Sequence, residues 1–105
     1  MLYNILMKNL QEIEQKISEN KDKIFKDFEV EEIGVFGSYV RGEATEDSDI
    51  DILISLKKNH RVGMLKFMSL NYFLEDLLNI KVDLVLKDGI KRALKPYILN
   101  EVKYL

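Results

Sequence analysis

The 105-residue chain has no cysteine, no tryptophan, a single histidine and a single proline. Without cysteine there is no disulfide, no thiol nucleophile and no thiolate metal site. One imidazole, His60, argues against a histidine-built metal centre. No apolar run approaches the ~18–20 residues that span a bilayer. The first residues are amphipathic and interrupted by Lys8 and Gln11, unlike a signal peptide. Charge of one sign is also missing: 16 basic residues face 18 acidic ones, a net charge of -2. That balance leaves no electrostatic footprint for duplex DNA or an anionic membrane, although a local basic groove stays open. There are no repeats and no linker. These absences lead us to expect a soluble, cytoplasmic, single domain over residues 1–105.

What is present is enough for a core, with 47% hydrophobic residues. Apolar side chains at Leu2, Leu6, Leu10, Ile13, Ile17, Ile24 and Phe28 follow a helical spacing over residues 2–28, with a break near Asn20. Residues 32–36 read as a strand ending at Gly37. A helical turn starts at Ser38. Residues 49–56 and 80–86 read as further strands, and 63–78 as a second long helix with a broad apolar face. The tail from Ile90 reads as helix, interrupted near Pro96. The order α-β-β-α-β-α predicts an α/β (α+β) domain, a small mixed sheet with helices packed on one side.

The strand "DIDILI" carries an anomaly. Strands are depleted in aspartate, and burying an unpaired carboxylate is costly. Alternation puts Asp49, Asp51 and Leu53 on one face and Ile50, Ile52 and Ile54 on the other, core-facing one. The Asp49 and Asp51 Cα atoms should lie ~6.6 Å apart, a spacing at which two carboxylates can converge on a hard cation such as Mg²⁺. Asp83, alone in "IKVDLVL", repeats the oddity. If its strand pairs beside the Asp49 strand, Asp83 completes a triad, sharing the metal or acting as general base. Singly, the acids also read as a loop Asp-x-Asp and an exposed edge residue. Their joint occurrence favours chemistry. A calcium loop starting at Asp47 fails, because its sixth and twelfth positions are Ile52 and Lys58.

"GSYVRG" follows a strand. Gly37 lets the backbone approach a ligand closely. Backbone N–H groups at such a turn favour phosphate, and Ser38 adds a hydroxyl. Arg41 either reaches a phosphate or holds the acidic loop 43–47. No Gly-Lys-Ser/Thr follows, so this is not a Walker loop.

Gly37-Ser38, ten residues, then Asp49-x-Asp51 resembles the G-S-x(10)-D-x-D signature of the polymerase-beta nucleotidyltransferase superfamily. With the later "VDLVL" and the closing "LKPYILNEVKYL", the chain looks like the minimal nucleotidyltransferases of prokaryotes. The resemblance implies transfer of a nucleoside monophosphate from a triphosphate to a hydroxyl. Gly37 and Ser38 would hold the triphosphate, with Arg41 at a frequent basic position. Asp49 and Asp51 would bind two Mg²⁺ ions, and Asp83 matches the third carboxylate, also counted among the metal ligands. The family further implies ATP as donor and, as partner, a helical HEPN toxin modified on a tyrosine.

Two other functions compete. One is an antitoxin that neutralises its partner by contact alone, which has no need of strand-borne acids. The other is a small-molecule nucleotidyltransferase, for which one small domain offers little pocket wall. His60 reads as solvated. Phe67, Met68, Tyr72 and Phe73 read as core rather than as a base-stacking platform. "YILNEVKYL" offers an apolar patch for a partner or for self-association.

Overall fold

The structure, a computed structural model, describes residues 9–105. The expected helical segment at residues 2–8 lies outside the described residues. Helix α1 (Leu10–Glu19) begins at Asn9, whose side chain caps it by accepting the Glu12 N–H at 2.8 Å. The chain breaks at Asn20 and resumes as α2 (Lys21–Asp27). Strand β1 (Val30–Phe36) runs into the single turn α3 (Ser38–Arg41). Strand β2 (Ile50–Leu56), helix α4 (Met64–Leu78) and strand β3 (Val82–Leu86) follow. A short 3₁₀ turn (Lys87–Gly89) leads to α5 (Lys95–Glu101) and strand β4 (Lys103–Tyr104).

The four strands form one sheet in the order β3-β2-β1-β4. β1 pairs antiparallel with β2 and with β4, while β2 and β3 are parallel. Parallel neighbours need a long crossover, and α4 supplies it. Ile50, Ile52 and Ile54 of β2 and Ile33 and Val35 of β1 pack with Ile13 and Ile17 of α1, Ile24 of α2, and Leu70, Leu74 and Leu78 of α4. This is the mixed sheet with a helical layer expected from the sequence.

Three local expectations change. Residues 103–104 are a strand, not helix. Gly34 explains why: a Cβ there would crowd Val102 Cγ2 and the Lys103 carbonyl oxygen, so its absence lets the tail lie against β1. The tail then pairs a strand that would otherwise be an open edge. Residues 91–94 form turns, and the last helix starts at Lys95 with Pro96 in its first turn, where a missing N–H costs nothing. On α4 the buried face is narrower than the apolar pattern. Phe67 and Phe73 pack on the core, but Leu65, Met68 and Tyr72 are exposed.

Candidate active site

A turn delivers the first aspartate. The Ser48 hydroxyl accepts the Thr45 N–H at 2.8 Å, and the Ser48 N–H donates to the Thr45 carbonyl at 3.0 Å. Asp49 leaves this turn exposed, and β2 begins at the next residue. The β2–β3 pairing then opposes Asp51 to Asp83 directly. Two contacts set that register at its open end. The Ile50 N–H donates to the Lys81 carbonyl at 2.9 Å, and the Glu75 carboxylate accepts the Val82 N–H at 3.0 Å. Side chains opposite one another in a parallel pair share a face, so the two carboxylates meet.

Their meeting has an electrostatic signature. Asp51, half-buried, is pushed up to about 6. Burial is the largest cause, followed by the charge of Asp83, its hydrogen bond, and the charge of Asp49; Arg41 opposes the shift. Tyr39, buried beneath, is raised by burial and by the charge of Asp49. Leu53, on the same face as Asp51, is fully buried, so the acids stand at the rim of a covered face.

Gly37 closes the site from the β1 side. The antiparallel register sets Phe36 opposite Asp51, and the next residue lies against the Asp51 carboxylate. A Cβ at Gly37 would collide with that carboxylate, and φ is 83°, in the region open to glycine. Ser38 opens α3, directly after Gly37. Arg41 ends α3, and its guanidinium is engaged twice. Its Nε donates to Glu43 at 2.7 Å, and its Nη1 donates to both carboxylate oxygens of Glu101 at 3.1 and 2.9 Å. The contact to Glu43 ties Arg41 to the acidic loop.

Glu101 and Tyr97 escaped the sequence reading. Together with Phe36, Gly37, Arg41, Asp51 and Ile98 they line a cleft of about 260 Å³. The signal available was an acid, Glu101, within the apolar tail "YILNEVKYL". A larger cavity, about 350 Å³, lies at the other end of β2, lined in part by Leu56, His60, Met64, Phe67 and Lys87. His60 is exposed there, accepting the Val62 N–H at 3.1 Å, remote from the acids along β2.

The donor set suits a hard cation: oxygen ligands only, with a desolvated carboxylate facing another carboxylate. Among the described residues no three side chains form a ready-made metal cage. Asp51 and Asp83, with Asp49 nearby, therefore offer part of a shell, to be completed by water and substrate phosphate, as Mg²⁺ commonly requires.

A family model described as nucleotidyltransferase domain matches residues 10–105. The protein adenylyltransferase MntA of Thermococcus cleftensis is 46% identical over 99 residues, covering 94% of this chain and 98% of that protein. The solved structure of a "putative minimal nucleotidyltransferase" superposes with a TM-score of 0.71 at 30% identity, over 89% of this chain and 95% of the other. A chain from a toxin–antitoxin crystal structure with AMP-PNP superposes with a TM-score of 0.66 at 25% identity, over 82% of this chain and 69% of that one.

Proposed function

The chain belongs to the nucleotidyltransferase domain family, and on that premise we propose that it moves AMP from ATP to a tyrosine hydroxyl of a HEPN-type toxin, acting as its antitoxin. The observation that carries this reading is the opposition of Asp83 to Asp51, whose carboxylate lies against the Gly37 turn in the cleft. The named activity of the Thermococcus relative and the toxin–antitoxin complex with AMP-PNP support the donor and the kind of partner.

Each residue then has a task. The Gly37-Ser38 turn holds the triphosphate, and the Ser38 hydroxyl is a donor toward it. Two Mg²⁺ ions held by Asp49, Asp51 and Asp83 would supply the charge neutralisation that phosphoryl-type transfer needs. The acceptor oxygen attacks the α-phosphorus, the bond to the bridging oxygen breaks, and pyrophosphate leaves. Asp83, exposed at the rim, takes the hydroxyl proton.

A contact-only antitoxin is the second reading. It is favoured by exposed Leu94, Tyr97 and Tyr104 in the C-terminal segment, an apolar surface a partner can cover. One assay separates the two. The protein is incubated with Mg²⁺, ATP labelled at the α-phosphate and the protein encoded beside it, with Asp51→Ala as control. Label on the neighbour, lost in the variant, establishes adenylyl transfer. Tight binding without label favours neutralisation by contact or a small-molecule acceptor.

A further inference from the structure

The C-terminal helix reaches into the site through one side chain. Glu101, at the end of α5, accepts the Gly37 N–H with Oε1 and the Arg41 guanidinium with both oxygens. The Glu101 carboxylate is largely covered, at 24% side-chain exposure, so its bond to the Gly37 N–H is partly shielded from solvent, while the Arg41 side of the pair is exposed. The link spans 64 residues of sequence, from the end of the last helix to the turn after the first strand. α5 is itself pinned. The next residues form β4 on Gly34 and Val35, and the Leu105 N–H donates to the Ile33 carbonyl at 2.9 Å.

Gly37 is thus held between two carboxylates, Asp51 against its Cα and Glu101 on its N–H. A glycine in this conformation has no side chain to fix it, and its backbone freedom is the largest of any residue. Something else must hold the turn. We propose that Glu101 is a positioning residue of the transfer site: it clamps the Gly37 N–H and Arg41 together, and so sets the Ser38 turn against the Asp51–Asp83 pair. Arg41 then acts chiefly as a strut between Glu43 and Glu101. Its Nη2 is the guanidinium nitrogen left without a protein partner among the described residues, and with the Ser38 hydroxyl it is a donor for the triphosphate. This assignment rests on the nucleotidyltransferase reading of the site.

Glu101→Gln keeps the size of the side chain and removes its charge. In the full-length protein, the Kd for Mg²⁺-bound ATP should rise by about tenfold or more, the loss of a charge-assisted hydrogen bond at the turn. The Gly37 amide should exchange with solvent faster, while the amides of Ile50 and Ile52 keep their protection. Glu101→Asp, which keeps the charge but shortens the reach, should shift both readouts in the same direction and stands in if Glu101→Gln does not fold. Faster Gly37 exchange with unchanged ATP affinity would make Glu101 a structural tie only and overturn the proposal. Tighter ATP binding would also overturn it, because Glu101 would then occupy the triphosphate's own place. Failure of the transferase reading shows separately, as a wild-type protein that binds ATP but labels no acceptor.

Discussion

Replacing Asp51 by asparagine should make the metal-free protein more stable at neutral pH. In the folded chain Asp51 titrates at about 6, against an ordinary value of 3.8, chiefly because burial disfavours its charge. The folded state therefore binds more protons than the unfolded chain between these two values. Stability falls as pH rises through that window, and the full penalty is present above about 6. At ~1.36 kcal/mol for each pH unit, the difference bounds the penalty at roughly 3 kcal/mol. The side chain is only half-buried, so solvent screening reduces this to about 1–2 kcal/mol. Urea unfolding of the wild type and Asp51→Asn, both in EDTA, measures it. At pH 7.5 the variant should be more stable by that amount, and below pH 4 the gain should vanish. Added Mg²⁺ should stabilise the wild type and much less the variant, since a ligand that binds only the folded state adds stability by mass action. A variant no more stable at pH 7.5, or equally favoured at pH 4, would refute the electrostatic account of the site.

The same titration should appear in function. As pH falls through about 6, the Mg²⁺ concentration needed for half-maximal transfer should rise, because protons then compete with the metal for Asp51, and a Mg²⁺ requirement unchanged down to pH 5 would count against Asp51 as a metal ligand. Asp49→Ala and Asp51→Ala should each abolish Mg²⁺-dependent transfer and leave the far-ultraviolet circular dichroism unchanged; retained transfer in either would remove that residue from the metal site. Gly37→Ala should abolish transfer and destabilise the fold by about 1–3 kcal/mol, because the added methyl meets both a positive φ and the Asp51 carboxylate. Wild-type stability in that variant would mean the turn relaxes freely. Leu74→Ala should cost about 2–5 kcal/mol in chemical denaturation, since Leu74 is fully buried between α4 and the sheet. A loss below 1 kcal/mol would show that this part of the core collapses around the gap.

The elements most legible in the sequence are those whose cause is local. Ile50, Ile52 and Ile54 alternate with Asp49, Asp51 and Leu53, so both the strand and the face of its acids could be read from six residues. The break at Asn20 and the helical turn at Ser38 had equally local signals. Glu101 had none. Its partners are Gly37 and Arg41, and only the return of the chain to Gly34 brings it there. The strand at Lys103–Tyr104 was hidden for the same reason, being two residues long and defined wholly by what it pairs with. Leu65, Met68 and Tyr72 misled in the opposite direction: their helical spacing is real, but no described element covers them.

The spacing between Gly37 and Asp51 joins these two kinds of information. In sequence it is a count of residues. In the fold it is a contact, because the antiparallel register that opposes Phe36 to Asp51 presses the following glycine onto the carboxylate. That register is held by the core, through Ile33, Val35, Ile52 and Ile54. A slip by one residue would turn the isoleucines outward and the aspartates inward, at a cost far above any gain in pairing. The hydrophobic pattern that folds the sheet is therefore also what aims the carboxylates. That aim in turn requires the residue after β1 to be small enough to leave room for the Asp51 carboxylate.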